Sequence, residues 1–222
     1  DFFNNEIMNI EKILWNIQKI KIFTDKNDKK ELLKFDNKNN QIFSIIRNNQ
    51  LQKMLFDKLK RSKFIKFKKN LNLEKNLYKL VINSDPTHPI IKKYFSRKIE
   101  KNYNSYAYTT TIVHEKIKNN TAYQNFTKNG PIAFLPISNS ETSIVYSLKS
   151  LEKKNNLEMN SLVKKYNPIY SIKKINSWSS FKLRSSSLRN YYKDNILAFG
   201  DLLHKIHPLA GQGFNMSLRD IK

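Results

Sequence analysis

The chain has 222 residues, of which 41 are Lys or Arg and 18 are Asp or Glu, so its formal net charge is +23. It contains no cysteine, which excludes disulfides, thiolate metal sites and cysteine nucleophiles. A hydrophobic content of 39% favours a globular core over disorder, and no apolar run approaches the roughly 18 residues of a membrane-spanning helix.

The spacing of apolar residues predicts the elements of the first hundred residues. Helical spacing and period-two alternation occur in turn, separated by polar turns. In chain order they predict a short helix over 7–17, strands over 20–23 and 32–35, a helix from about 49 to 59, strands over 64–67 and 79–82, and a helical turn over 90–95.

Strands rich in Tyr, Thr and Ile dominate the second half of the chain. Turns at 129–131 and 138–140 separate several of them, which predicts an antiparallel meander. The predicted elements are strands over 103–113, 122–126, 132–135 and 143–148, a helix over 152–166, one or two strands over 169–183, and a strand over 196–199.

The positive charge raises the question of a polyanionic partner. Residues 58–69 interleave Lys and Arg with Phe, as some nucleic-acid-binding segments do. Lys is enriched along the whole chain rather than in one patch, so we expect no nucleic-acid partner. Diffuse positive charge fits an anionic membrane surface better. The alternation of lysines with Phe64, Ile65 and Phe67 also predicts a short half-buried strand.

The most informative run lies between Ile196 and Asp220. Three of the chain's four glycines, Gly200, Gly211 and Gly213, fall within it. Four apolar residues end in Gly200-Asp201, which predicts a buried strand that presents a carboxylate at its C-terminal end, where open α/β sheets bind ligands. A glycine turn then opens a helix, whose first amides and dipole favour an anionic group.

This run resembles the second flavin-binding motif of the FAD-dependent aromatic hydroxylases, and most of all that of the ubiquinone-biosynthesis hydroxylases. Leu202 and Leu203 depart from the family pattern, which usually has small residues there. A strand, tight turn and helix without a ligand would explain the glycines but not the other residues. The residues that fit the pattern are Gly200, Asp201, His204, His207, Pro208, Ala210, Gly211, Gln212, Gly213, Asn215, Arg219 and Asp220.

The resemblance implies roles for these residues. Asp201 would accept a hydrogen bond from a ribityl hydroxyl of FAD, and the turn from Pro208 to Gly213 would lie along the pyrimidine edge of the flavin. Amides at a helix start stabilise the negative charge of reduced flavin. The implied cofactor-binding residues are Gly200, Asp201, His207, Pro208, Leu209, Ala210, Gly211, Gln212, Gly213, Phe214, Asn215, Asp85 and Gln52.

Two of these residues rest on weaker motifs. Residues 81–92 resemble the family's strand followed by Asp-Gly, and Asp85 fits, but Pro86 stands where the family has Gly. Proline removes a backbone donor, so a plain strand-to-helix turn without a ligand stays an open alternative. Residues 46–52 resemble a family stretch with Arg before Leu-Gln; Asn49 replaces the Arg, and Gln52 remains a candidate.

The substrate side is implied by hairpins within 113–146 that resemble those of the ubiquinone-pathway hydroxylases. Phe126, Pro131 and Pro136 would face the substrate. His114 and Glu115 point to opposite faces of a strand, so we expect them to be surface residues rather than an acid–base catalytic pair. No catalytic base is identified. No metal is expected, because His204 and His207 lack a third ligand.

The resemblance implies a mixed α/β fold, in which a flavin domain (41–97 and 179–222) interleaves with an antiparallel substrate-binding sheet (1–40 and 98–178). The implied activity is hydroxylation of a polyprenylated phenol with FAD, NAD(P)H and O2, through a flavin C4a-hydroperoxide.

We further expect peripheral membrane association, contacts with other ubiquinone-biosynthesis proteins, and a cytoplasmic or mitochondrial-matrix location at the inner membrane. Without a Gly-x-Gly-x-x-Gly fingerprint in the sequence, we expect a fragment that is inactive alone. A related flavoprotein without hydroxylase activity, and a basic membrane- or nucleic-acid-binding protein, remain alternatives.

Overall fold

The computed structural model describes residues 2–25, 31–37, 40–68, 78–150, 153–206 and 212–221. Within these ranges short π and 3-10 turns occupy Phe3–Ile7, Glu11–Ile13 and Gly200–Leu202. The elements in chain order are β1 (Leu14–Ile17), β2 (Lys19–Thr24), β3 (Glu31–Asp36), β4 (Phe43–Ile46), α1 (Asn48–Lys60), β5 (Val81–Asn83), α2 (Ile90–Tyr94), β6 (Lys98–His114), β7 (Thr121–Thr127), β8 (Gly130–Pro136), β9 (Glu141–Lys149), α3 (Asn156–Tyr166), β10 (Ile172–Ile175), β11 (Ser179–Leu188), β12 (Tyr192–Lys193), β13 (Ile196–Ala198), β14 (His204–Lys205) and α4 (Gln212–Arg219).

The chain forms two compact units. The first comprises Asp1–Phe67 with Tyr106–Phe181, and the second comprises Lys68–Ser105 with Lys182–Lys222. The long strands β6 and β11 each contribute residues to both units. The boundary differs from the expected one, because 41–67 cluster with the first unit rather than with 68–97. The pairing of β4 with β1, in register from Leu14–Ile46 to Ile17–Phe43, explains this difference.

The first unit contains a mixed sheet in the order β6, β9, β8, β7, β2, β3, with β10 on β6. β7, β8 and β9 form the predicted antiparallel meander, whereas β2 pairs with β7 in parallel. Buried and half-buried residues alternate along β8 and β9, as expected where one face covers a core and the other is more open.

One face of this sheet packs against α3. The N-terminus of α3 is fixed by a capping box, in which the Asn155 side chain accepts from the Glu158 amide and the Glu158 carboxylate accepts from the Asn155 amide. The core between helix and sheet consists of Tyr108, Ile112, Ile132, Phe134, Ile144, Tyr146, Leu148, Met159, Val163, Tyr166 and Tyr170.

The second unit contains the strands β12, β13 and β5, with β13 parallel to β5. It also contains β14, which pairs with the end of β11 through Ser186–Lys205 and Ser187–His204. Its core is a smaller cluster formed by Phe95, Leu188, Ile196, Ala198 and Leu202.

The mixed α/β class is confirmed, as are most predicted elements. Two predictions are wrong. The opening helix is replaced by short turns and β1, because Leu14 and Ile17 pair with β4. The predicted strand over 64–67 is irregular and exposed, because it has no partner strand.

Candidate functional site

Two motifs that lie far apart in sequence meet at one edge of the second unit. Because β5 and β13 are parallel and Ala198 is in register with Asn83, their carboxyl ends lie side by side. The amide of Phe199 donates to the carbonyl of Asn83 over 2.9 Å, which continues the pairing into Gly200. The strand-end position predicted for Gly200-Asp201 is confirmed, and the same edge also carries the segment that leads to Asp85.

The chain turns sharply at Gly200, whose φ of 60° lies in the left-handed region that glycine adopts without strain. Gly200 is buried, and a Cβ on it would lie 3.8 Å from Oγ of Ser217 in α4. Asp201 follows on the 3-10 turn and is exposed. The turn therefore presents a carboxylate from a rigid strand end, as the sequence predicts.

Helix α4 spans Gln212–Arg219, which confirms the helix predicted for the end of the motif. Gln212, Phe214 and Asn215 are exposed on its first turn, and Gly213 is half-buried with Cγ1 of Ile206 at 3.9 Å from the position of a Cβ. The remaining predicted cofactor-binding residues lie outside the described residues; they are His207, Pro208, Leu209, Ala210 and Gly211.

Two side-chain nitrogens in this unit are buried without a hydrogen-bond partner among the described residues: Nδ2 of Asn83 and Nε2 of His204. Nε2 of His204 lies 3.2 Å from Oδ2 of Asp220 but is not aligned with it as a hydrogen bond. Buried polar groups in native proteins nearly always have partners. Asn83 is next to the strand edge and was not predicted; its orphan donor fits a bound group with acceptor oxygens.

Asp85 is engaged within its own turn. Its Oδ1 accepts from the amide of Thr87 at 2.8 Å and from the Thr87 hydroxyl at 2.7 Å. These two hydrogen bonds, the hydroxyl one first, hold the pKa of the Asp85 carboxyl below its usual value. Its role as a cofactor ligand stays a prediction. Gln52, on α1 of the first unit, is exposed and likewise stays a prediction.

The predicted substrate-facing residues do not share one face of the sheet. Phe126 and Pro131 are directly paired between β7 and β8, so they lie on the same face, and Phe126 is 46% exposed. Pro136 is buried on the opposite face, where it pairs with Thr142. Side chains an odd number of residues apart on a strand point to opposite faces of the sheet. Pro136 therefore does not share the face of Phe126 and Pro131.

His114 is buried rather than at the surface, so that expectation is wrong. Its Nδ1 lies 2.7 Å from the carbonyl of Glu115, which can only accept, so Nδ1 carries the proton. Nε2 then accepts from the Thr142 hydroxyl at 3.0 Å. Glu115 is exposed, as alternation requires.

Asn119 and Tyr170 complete this buried polar network. Nδ2 of Asn119 donates to the carbonyl of Ser138 at 2.8 Å and to Oγ1 of Thr142 at 3.0 Å. The Tyr170 hydroxyl donates to Oδ1 of Asn119 at 3.1 Å, and burial raises the pKa of this phenol. The network holds the loop after β6 against the β8–β9 hairpin, which assigns it a structural role.

Within the described ranges no three His, Asp or Glu side chains are grouped as metal ligands. No helix in the same ranges combines the length and apolar character needed to cross a bilayer.

A parallel strand pair with a Gly-Asp turn at its carboxyl edge in the second unit, together with the antiparallel meander of the first unit, is typical of α/β proteins that bind a ligand at such a strand edge. Comparison with known proteins identifies the family. The FAD binding domain family matches residues 98–222, more than half of the chain. The chain belongs to this family.

Two relatives illustrate the similarity. The mitochondrial ubiquinone biosynthesis monooxygenase COQ6 of Xenopus tropicalis is 26% identical over 185 residues, covering 64% of this chain and 40% of that protein. The 3-demethoxyubiquinol 3-hydroxylase of Escherichia coli K12 is 28% identical over 126 residues, covering 52% of this chain and 32% of that protein. The chain thus spans well under half the length of these relatives.

Among solved structures, CtdE in complex with FAD and a substrate superimposes with a TM-score of 0.73 over 99% of this chain and 66% of that one. Its sequence identity is 14%, so this similarity supports the fold alone. It agrees with the mixed α/β class predicted from the sequence.

Proposed function

We propose that the chain is the flavin-contacting and substrate-facing part of an FAD-dependent hydroxylase of ubiquinone biosynthesis. Such an enzyme adds one oxygen atom of O2 to the ring of a prenylated phenol, with NAD(P)H as reductant. The observation that carries the proposal is the shared carboxyl edge of β5 and β13, which carries both the Gly200 turn with Asp201 and Asn83, whose side-chain nitrogen has no partner among the described residues.

The residues at this edge suit FAD chemically. The carboxylate of Asp201 is an acceptor for a ribityl hydroxyl, and Nδ2 of Asn83 is a donor for an oxygen of the cofactor. The first amides of α4, at Gln212 and Gly213, favour negative charge on the flavin. FAD would supply the oxygen-activating chemistry, while these groups bind and orient it.

The open face of the sheet supports an aromatic substrate with an apolar tail. Phe126 and Pro131 share this face with Ile20 and Ile22, since β2 is paired in register with β7. An aromatic ring and adjacent aliphatic side chains bind a prenylated ring through apolar contact. The two relatives, a ubiquinone biosynthesis monooxygenase and a 3-demethoxyubiquinol 3-hydroxylase, support the same substrate class.

Location and partners follow from the same proposal. The Xenopus relative is a mitochondrial protein, which supports a mitochondrial location in a eukaryote. We propose that the protein lies on the matrix side there, and at the cytoplasmic face of the inner membrane in a bacterium. A prenylated substrate resides in the bilayer, so we propose peripheral membrane association and contacts with other proteins of the same biosynthesis.

A second candidate is a related flavoprotein that does not hydroxylate. The turn at Asp85 favours it, because Thr87 occupies the carboxylate and Pro86 removes a backbone donor. Oxidation of NAD(P)H by the FAD-loaded full-length protein, of which we propose this chain to be a part, separates the two candidates. Hydroxylated product formed in step with NAD(P)H oxidation supports the hydroxylase, whereas bound FAD with no oxygen transfer to prenylated or unprenylated phenols supports the second candidate.

The substitution Asp201→Ala tests the flavin site directly. It removes one charge-assisted hydrogen bond, about 1.5–3 kcal/mol, so we expect the Kd for FAD to rise by roughly 10- to 150-fold. Quenching of flavin fluorescence measures the Kd without any turnover. Asp57→Ala, an exposed carboxylate on α1, is the matched control and should leave the Kd unchanged. Equal FAD affinities for Asp201→Ala and the unsubstituted protein would remove Asp201 from the site.

A further inference from the structure

Residues 56–67, which we name the basic apolar segment, cover the end of α1 and the chain after it. Nearly all of these residues are exposed. Phe64 is 86% exposed and Phe67 is 55% exposed, which is unusual for phenyl side chains. The other large apolar side chains exposed in the segment are Phe56, Leu59 and Ile65.

The rings of this segment are held at the surface together with cations. The rings of Phe56 and Phe67 pack with their centroids 5.0 Å apart, which joins the helix to the chain that follows it. Nζ of Lys60 lies 4.6 Å from the Phe56 ring centroid, and Nζ of Lys63 lies 5.2 Å from that of Phe64. Apolar rings and cations thus lie next to each other on this exposed segment.

The charge of the segment is strongly unbalanced. Five cations stand against one acid, Asp57, which gives a net charge of +4. Lys58 donates to the carbonyl of Ile7, and within the described part of the chain none of the five cations is ion-paired with a carboxylate. The five cations are Lys58, Lys60, Arg61, Lys63 and Lys66.

We propose that the basic apolar segment docks on the surface of an anionic lipid bilayer. Lysines attract acidic headgroups, and exposed phenyl rings enter the boundary between headgroups and acyl chains. Leu59 and Ile65 favour lipid over nucleic acid, because aliphatic side chains gain from contact with hydrocarbon but do not stack on bases. The inference assigns the proposed membrane association to one surface of the first unit.

Sedimentation with vesicles tests this assignment. The full chain is mixed with phosphatidylcholine vesicles that contain about 30% phosphatidylglycerol or none, at about 0.1 M and about 1 M NaCl. We expect binding only to the anionic vesicles, and weaker binding at high salt. The double variant Phe64→Ser/Phe67→Ser should lower the partition coefficient at least about ten-fold, because each phenyl ring buried in the bilayer contributes about that factor.

Two further variants complete the design. Lys63→Glu/Lys66→Glu should reduce binding by about ten-fold or more, since each lysine near an anionic surface contributes roughly five-fold. Leu157→Ser, which removes a side chain 80% exposed on α3, is the matched control and should bind as the unsubstituted chain does. Circular dichroism confirms that the variants are folded, which is expected because the substituted side chains are exposed.

Several outcomes would overturn the proposal. One is absence of binding to anionic vesicles. Another is binding that charge reversal abolishes but the phenyl substitutions leave unchanged. A third is binding to a single-stranded oligonucleotide that the same variants abolish while vesicle binding persists, which would assign the segment to nucleic acid. FAD affinity, measured on the same variants, should be unaffected, so failure here leaves the proposed flavin site standing.

Discussion

The substitution Gly130→Ala should destabilise the first unit severely. Gly130 begins β8 with a φ of 128°, and a Cβ there would lie 2.0 Å from the carbonyl oxygen of Ser147 on β9. The backbone strain costs about 1–3 kcal/mol, and the overlap with a fixed carbonyl costs a similar amount. We therefore expect a loss of about 4 kcal/mol, a large share of the roughly 5–15 kcal/mol stability of a domain.

Urea unfolding followed by far-ultraviolet circular dichroism measures this loss. The matched control is Gly200→Ala, where φ is 60° but the atom nearest the added Cβ is 3.8 Å away. Only backbone strain applies there, about 1–2 kcal/mol. If Gly130→Ala costs no more than Gly200→Ala, the close contact with Ser147 does not determine the stability of the β8–β9 pair and the reasoning is refuted.

Two other substitutions test the buried polar groups of the first unit. Asn119→Ala leaves the Tyr170 hydroxyl without its acceptor and should cost about 1–3 kcal/mol in urea unfolding, whereas exposed Asn139→Ala should be neutral. Burial and then Asp25, which accepts from the Tyr166 hydroxyl at 2.9 Å, raise the pKa of Tyr166 to about 12. Because its unfolded pKa is about 10, folding stability should fall as pH rises from about 10 to 12. Tyr166→Phe should reduce that fall, and identical pH profiles for both proteins would contradict the assignment.

Local sequence patterns were sufficient to predict an element where its own residues determine its buried face and its ends. Period-two alternation identified β8 and β9, and the apolar run ending in Gly-Asp placed Asp201 at a strand end. The same alternation, applied strictly to Pro131 and Pro136, would have separated them, because they stand an odd number of residues apart on one strand. The family resemblance grouped Pro136 with Pro131, whereas the geometry of β8 places them on opposite faces of the sheet.

Pairing between strands far apart in the chain determined the structure where local sequence patterns did not predict it. The spacing of Leu14 and Ile17 fits a helix, but both residues lie in a strand that pairs with β4. Asn83 lies within the motif over residues 81–92, but the motif pointed to Asp85; the parallel pairing with Ala198 places Asn83 at the strand edge. Alternating Lys and Phe at 63–67 predicted a strand, but a strand forms only where a neighbour supplies hydrogen bonds.

The parallel pairing of β5 with β13 has a consequence for the order of folding during synthesis. Val81 pairs with Ile196, so the two partners are 196 − 81 = 115 residues apart in the chain. At about 5–20 residues per second, the ribosome completes β13 roughly 6–23 s after β5. Throughout that interval β5 has no partner strand, while the β7–β8–β9 meander, built from sequence neighbours, can already pair. An unpaired β5 would therefore be accessible to chaperones that act on the nascent chain, and the edge that carries Asp201 could form only after β13 has been synthesised.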